Sequence, residues 1–258
     1  MEIFGDLYSK YYDEMYSNKD YDLETACVEF WLKKYGQGSI KNIISLGAGT
    51  LNYEERLTKK GYNIHGIELS PGMVKLAQNK IAEKGLGNQI VVEQGDMMQL
   101  PAQKKQFDAA LAMFNVVGYC ADLQDFEKVV KNINKNLRPD GLFMFDAWYA
   151  PAVLKDGPQD RWKKIIKGEC QLYRLLNSVH QPEKKSVLLK FELLEICNQV
   201  LTARQSEQHP VSYWNLEEIE KVLNDNSFKL AATCNFPYFD KPITDQSWYM
   251  GVVAKKIK

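Results

Sequence analysis

The sequence predicts an α/β fold with a parallel sheet, extended by an inserted antiparallel β section and an N-terminal helical arm. Three observations predict it. Short apolar runs alternate with helical patterns between residues 40 and 150, the first apolar run passes into a glycine-rich turn, and the helical period disappears between about 160 and 210. At 258 residues the chain is one large domain or a core with a substantial insertion.

Each element has its own signal. In the arm, Phe4, Tyr8, Tyr12 and Tyr16 recur at a spacing of four, which places them on one face of a helix. Five strands are read at 42–46, 63–67, 89–92, 107–112 and 141–145, with helices at about 52–60, 71–84 and 123–137 between them. The middle helix opens with Ser70-Pro71, a capping hydroxyl followed by proline at the first helical position. Leu137 to Gly141, with Pro139-Asp140-Gly141, predicts a turn into the fifth strand. Residues 162–167, 172–179, 186–196 and 199–205 read as antiparallel strands, followed by a helix at 215–225 capped by Asn215 and two last strands at 229–234 and 247–254. The expected organisation is an arm over 1–40, a core over 41–150, a β insert over 151–212 and a C-terminal part of the core over 213–258.

Charge and composition exclude several classes of function. Lysine plus arginine equal aspartate plus glutamate at 33 each, so no global positive field exists to hold nucleic acid or an anionic membrane. The zero is a sum of opposed segments: −4 over 1–40, +1 over 41–150, +3 over 151–210 and 0 over the remainder. The acidic N-terminus lacks the basic and apolar regions of a secretory signal, so a cytoplasmic location is expected. Five scattered cysteines without a CxxC pair are expected to be reduced packing residues, and His65, His180 and His209 stand too far apart to suggest a metal site.

The chemistry concentrates at the ends of the first three strands. Gly47-Ala48-Gly49 follows the first strand, Glu68 ends the second, and Gln94-Gly95-Asp96-Met97 ends the third. Glycines let a ligand approach the backbone, and a carboxylate at the next strand end accepts from ribose hydroxyls. A nicotinamide dinucleotide would call for a third glycine where Asn52 stands. Asp96 could instead accept from an adenine amino group.

These stretches, with Ile44 to Gly49, Gly66 to Met73 and Asn136 to Leu142, resemble the class I S-adenosylmethionine-dependent methyltransferases. The resemblance implies a Rossmann-like seven-stranded sheet with an antiparallel last strand, S-adenosyl-L-methionine as cofactor, and cofactor contacts from Tyr21, Gly47, Ala48, Gly49, Asn52, Glu68, Leu69, Met73, Gly95, Asp96, Met97 and Met113. Two positions depart from the family pattern: Ser45 replaces a frequent acid, and Leu51 replaces a third glycine. Within the family, Tyr11 to Tyr16, Ala112 to Tyr119 and Phe145 to Tyr149 are most similar to enzymes that N-methylate nucleotide-linked amino sugars. In those relatives a histidine stands where Tyr119 is placed, and an arginine falls near Gln246.

Methyl transfer from a sulfonium is an in-line displacement that depends mainly on alignment and desolvation. The catalytic candidates are Tyr12 of the arm, whose ring or hydroxyl suits a cation, and Asn115, Tyr119 and Asp146 at strand ends. Asp146 could orient an ammonium or accept its proton. His180 and His209 could face substrate but are expected at solvent, and Arg161, Lys163 and Lys167 alternate onto one face that could hold a phosphate or carboxylate but is expected to be a solvated strand edge. Asn115 followed by Val116-Val117 lacks the turn of adenine-N6 DNA methyltransferases, and no carboxylate cluster suggests magnesium. The expected acceptor is an amine on a sugar, nucleotide-linked or free. The alternatives are N- or O-methylation of another small metabolite, or cofactor binding without turnover. Neither nucleic acid nor membrane is an expected partner, whereas a homodimer is compatible with the sequence.

Overall fold

A computed structural model describes residues 3–104 and 106–257. The arm contains α1 (Asp6–Lys10), α2 (Tyr12–Met15) and α3 (Tyr21–Tyr35). The alternating region follows as β1 (Asn42–Leu46), α4 (Glu54–Thr58), β2 (Asn63–Glu68), α5 (Pro71–Lys84), β3 (Ile90–Gln94), β4 (Phe107–Ala112), α6 (Leu123–Asn136), β5 (Leu137–Trp148) and α7 (Ala150–Asp156). Four long strands, β6 (Arg161–Lys167), β7 (Cys170–Gln181), β8 (Ser186–Cys197) and β9 (Val200–Ser212), precede α8 (Leu216–Asp225), β10 (Phe228–Asn235) and β11 (Tyr249–Lys256).

Two sheets result. The larger has the order β10-β11-β5-β4-β1-β2-β3, with β11 antiparallel to both neighbours, and the smaller is the antiparallel meander β6-β7-β8-β9. In the larger sheet the strand order reverses between β1 and β4, which opens a crevice beyond the carboxyl ends of the parallel strands.

Local chemistry sets the helices that frame this crevice. Ser70 Oγ accepts from Met73 N, Pro71 opens α5, and Gly85 closes it in the left-handed region. Asp122 accepts from the amides of Gln124 and Asp125 at the start of α6. One apolar layer joins Leu46, Phe143 and Phe145 to Val129 and Ile133 of α6 and Ile219 and Leu223 of α8. The other joins Ile43, Leu111 and Met144 to Val28, Trp31 and Leu32 of α3. Each such buried side chain contributes about 1.5–3 kcal/mol.

A third layer decides where the site lies. Leu7, Tyr8, Tyr11 and Met15 of the arm pack against Ile165, Leu172, Phe191 and Leu193 of the meander, so the arm fills the space between the two sheets. The meander holds it by polar contacts as well. Leu7 N donates to Gln205 Oε1, the amides of Phe4 and Gly5 donate to Glu207, and Tyr11 Oη donates to Glu195. Lys163 and Lys167, expected on a solvated edge, instead donate to the carbonyls of Met15 and Lys10 at the ends of the arm helices.

The structure corrects several expectations. Residues 137–141 extend β5 rather than forming a turn: the register against β4 shifts between Phe107 and Ala109, and Asp140 takes a φ of 61°, which together make a bulge. The single tyrosine-faced helix is broken at Tyr11, and Phe4 lies outside it with a φ of 59°. The rings still form a continuous line, Phe4 to Tyr8 at 5.3 Å, Tyr8 to Tyr12 at 6.3 Å and Tyr12 to Tyr16 at 4.9 Å. Cys170 and Cys197, expected to be reduced, form a disulfide because they stand opposite each other at the open end of the β7–β8 hairpin, with Cα atoms 4.2 Å apart. Cys27, Cys120 and Cys234 are buried free thiols. Among the described residues, no helix is long and apolar enough to cross a membrane.

Candidate active site

The first three parallel strands deliver their motifs side by side. Gly47 and Gly49 adopt φ values of 59° and 53°, a conformation glycine enters without steric cost. A Cβ on Gly47 would meet Val116 Cγ2 at 2.6 Å, so this turn also admits the loop after β4. Glu68 receives hydrogen bonds from Gly49 N at 2.9 Å and Ser70 N at 2.8 Å. A carboxylate has about four acceptor sites, so these two leave room for two hydroxyls. Burial pushes Glu68 upward, and the surrounding backbone amides oppose that shift. At the end of β3, Gly95 N donates to Glu68 O, and the half-buried Asp96 accepts from Met98 N and Gln99 Nε2. Leu69 is 59% exposed beside Glu68, an apolar surface at the same strand end. Glycine turn, two carboxylates and exposed leucine together fit a nucleoside.

The two departures from the family pattern have structural answers. Leu51 keeps the left-handed conformation expected of the missing glycine, with a φ of 66°, and buries its side chain completely. At Ser45, where the family often has an acid, a carboxylate stands alongside: Glu54 Oε1 accepts from Ser45 Oγ at 2.6 Å. Glu54 Oε2 is buried without a hydrogen-bond partner. An orphaned carboxylate oxygen beneath a glycine turn fits a cationic group such as the amino end of S-adenosylmethionine.

The arm reaches the same place. Asp13 Oδ1 accepts from Thr50 Oγ1 and from Asn52 Nδ2, and its Oδ2 pairs with Lys80 at 3.3 Å. Hydrogen bonds from Thr50 and Asn52 and the Lys80 charge hold Asp13 below the usual carboxylate range against the effect of burial. Tyr21 is buried against Tyr53. Lys19, which sequence reasoning missed, pairs with Glu24 and stands 4.2 Å from the centre of the Phe114 ring. Met97 is half-buried against the α6 layer. Ala48, Met73 and Met113 are 6%, 1% and 4% exposed. The two methionines support the site from beneath rather than present a side chain to a ligand, because the arm covers Met73 and the sheet layer encloses Met113.

The four catalytic candidates divide into two pairs. Tyr12 and Tyr119 converge between arm and meander: the Phe4 ring lies 6.2 Å from that of Tyr12 and 5.9 Å from that of Tyr119. Burial raises both phenols well above their usual value, and Tyr16 and Glu68 add to the effect on each. Asp146 and Asn115 are bound to each other and to backbone. Asp146 Oδ1 accepts from Phe114 N at 2.5 Å and Oδ2 from Asn115 N at 2.9 Å, while Asn115 Oδ1 accepts from Trp148 N. With both oxygens engaged and 1% exposure, Asp146 holds the loop after β4 rather than presenting an acid to an acceptor.

His209, expected at solvent, is 1% exposed, and its Nδ1 lies 3.0 Å from Tyr119 Oη. An imidazole does reach position 119, but from β9. His180 pairs with Tyr213, away from this cluster, and Gln246 lies on an exposed turn. Arg174 of β7 is a cation that sequence reasoning missed: its guanidinium lies 5.7 Å from the rings of Tyr16 and Phe191, and its Nε is buried without a partner.

Two buried acids give the molecule a pH signature. Burial pushes Glu54 and Asp146 each up to about 7. Unfolded, they titrate near 4, so between about pH 4 and 7 the folded chain binds the extra protons and stability falls as pH rises through that window. Glu54→Gln keeps an acceptor for Ser45 and removes one titration. Its urea midpoint should fall less than that of the parent chain between about pH 5 and 8. Equal slopes would refute the assignment for Glu54.

Residues 43–141 match a family described as a methyltransferase domain. The chain is 25% identical to the putative methyltransferase YqeM of Bacillus subtilis, over 86% of this chain and 85% of that one. It is 26% identical to the dTDP-3-amino-3,4,6-trideoxy-alpha-D-glucopyranose N,N-dimethyltransferase of Streptomyces venezuelae, over 59% of this chain and 60% of that protein. Among solved structures, an S-adenosylmethionine-dependent methyltransferase of Clostridium acetobutylicum matches with a TM-score of 0.80 at 20% identity, covering 98% of this chain and all of that one. The sugar N-methyltransferase KedS8 of a Streptoalloteichus species matches with a TM-score of 0.80 at 17% identity, covering 100% of this chain and 96% of that one.

Proposed function

We propose that this chain, whose residues 43–141 match a methyltransferase domain, transfers a methyl group from S-adenosylmethionine to the amino group of a small, negatively charged molecule, foremost a nucleotide-linked amino sugar. The observation that carries this reading is the arrangement between arm and meander: phenols at Tyr12, Tyr16 and Tyr119, and behind them Arg174 with an unpartnered buried Nε. The cofactor supplies an electrophilic methyl group on a sulfonium. Glu68 and Asp96 would hold its ribose and adenine, and Glu54 its amino end. Aromatic faces tolerate a cationic donor and exclude water, so an amine lone pair meets the methyl group undiluted by solvent. Arg174 would neutralise a phosphate on the acceptor. An inward guanidinium without an anion is costly, which gives it more value with a charged substrate than without one. The likeness to proteins named as sugar N-methyltransferases supports the same reading.

The test is turnover, read as S-adenosylhomocysteine released, with nucleotide-linked amino sugars and the corresponding free amino sugars. Linked acceptors should show a kcat/KM at least about 100-fold higher. Arg174→Ala should raise KM for the linked acceptor about 10- to 100-fold with kcat changed by less than about threefold, the signature of lost uniform binding. Equal use of free and linked amines would remove the phosphate from the proposal.

A further inference from the structure

Tyr119 begins a chain of three polar side chains drawn from two parts of the fold. Its Oη lies 3.0 Å from His209 Nδ1, and His209 Nε2 lies 2.7 Å from Glu207 Oε2. Tyr119 stands on the short helical turn after β4, whereas Glu207 and His209, two residues apart on β9, share its inward face. His209 and Glu207 are each 1% exposed, while Tyr119 is only partly buried. The rings of Phe4, Tyr8 and Phe191 surround the imidazole at 4.9, 5.6 and 5.0 Å. The imidazole is thus enclosed by aromatic rings, with the Tyr119 hydroxyl and the Glu207 carboxylate as its polar neighbours.

The order of donors in this chain follows from the chemistry of its last member. In the arrangement that satisfies all three groups, Nε2 donates to the Glu207 carboxylate and Nδ1 accepts from the Tyr119 hydroxyl. That leaves the phenol oxygen with lone pairs that can accept a further hydrogen. A phenol raised by burial cannot lose its proton to water at neutral pH. It can act as a base only by passing its own proton on as it takes another.

We propose that Tyr119 is the catalytic base for the acceptor amine and that His209 and Glu207 are positioning residues that make it one. As nitrogen forms its bond to the methyl carbon, the carbon–sulfur bond breaks with its electron pair returning to sulfur. The displaced N–H proton passes to Tyr119 Oη, the tyrosine proton passes to His209 Nδ1, and the resulting imidazolium rests against the Glu207 carboxylate. No atom or charge is left over: the positive charge that leaves sulfur ends on His209. Glu207 also accepts from the amides of Phe4 and Gly5. The same carboxylate that sets the imidazole tautomer therefore fixes the arm over the site, and docking of the arm and activation of Tyr119 depend on one group.

This inference rests on the amine reading above, so its test includes a readout that needs no acceptor. Side-chain nitrogen–proton correlation spectra of the ligand-free protein should show His209 protonated at Nε2 and bare at Nδ1, a pattern lost in Glu207→Gln. With an amine acceptor in hand, Tyr119→Phe and His209→Gln should each lower kcat about 10²- to 10⁴-fold. KM and S-adenosylhomocysteine affinity should stay within about threefold. The double variant should be no slower than Tyr119→Phe alone, because both changes cut one chain. A histidine protonated at Nδ1 would overturn the relay whatever the acceptor proves to be. Additive losses in the double variant, or an undiminished kcat in Tyr119→Phe, would overturn it even if the amine reading stands.

Discussion

Replacing Glu68 with alanine is expected to weaken S-adenosylhomocysteine binding by at least about 100-fold, because two hydrogen bonds to a charged carboxylate contribute about 1.5–3 kcal/mol each and 1.4 kcal/mol is a factor of ten. The position makes the loss severe. Glu68 ends β2, its two oxygens take the amides of Gly49 and Ser70, and the turn from Gly47 to Gly49 lies beside it. Removing the carboxylate deletes the ribose acceptor and releases the glycine turn at once. Folding should be affected far less. The same burial that raises the Glu68 pKa penalises its charge, which offsets the two backbone bonds it makes. Titration calorimetry with S-adenosylhomocysteine, alongside urea denaturation, separates the two effects. A dissociation constant within about threefold of the parent value would exclude Glu68 from the cofactor site.

The strand-end motifs of the proposed cofactor site were legible because their chemistry is local. Gly47-Ala48-Gly49, Glu68 and Asp96 each sit at a strand end, and periodicity located those ends within a residue or two. The acceptor half was not, because it is built from residues that meet only when the arm is clamped between two sheets. The period-two pattern on β9 continues past the expected strand end at 205 through Glu207, His209 and Val211, all inward and buried, whereas His209 was expected at solvent. Polarity signals a surface only when nothing covers it, and here the cover is the N-terminal arm. The disulfide was missed for a related reason. Extending the two strands of the β7–β8 hairpin to their full register, with Gln181 opposite Ser186, brings Cys170 opposite Cys197. The acidic arm and basic meander are a further instance: Lys163 and Lys167 hold arm carbonyls, and Lys167 pairs with Glu14. The opposed charges of the two segments meet where the site is closed.

Asp146, expected to act on the acceptor, spends both carboxylate oxygens on the amides of the loop after β4. Phe114 and Asn115 stand at φ values of 70° and 56°, consecutive left-handed residues that cost about 1–3 kcal/mol each unless the surroundings hold them. Asp146 holds them by accepting both of their amides. Asp146→Ala would leave two buried donors unpaired at about 1–3 kcal/mol each, so a stability loss of about 3–5 kcal/mol is expected, read as a lower urea midpoint. Asp146→Asn retains one good acceptor and should lose about half as much. The functional consequence follows from position: Val116 to Tyr119 hang from this turn, so its release moves the Tyr119 hydroxyl away from His209. If Asp146 acted directly on the acceptor, Asp146→Asn would abolish turnover and leave the fold untouched. If it acts by holding the turn, stability and kcat should fall together in the order Asp, Asn, Ala. The His209 imidazole signal should change with them in the absence of any substrate.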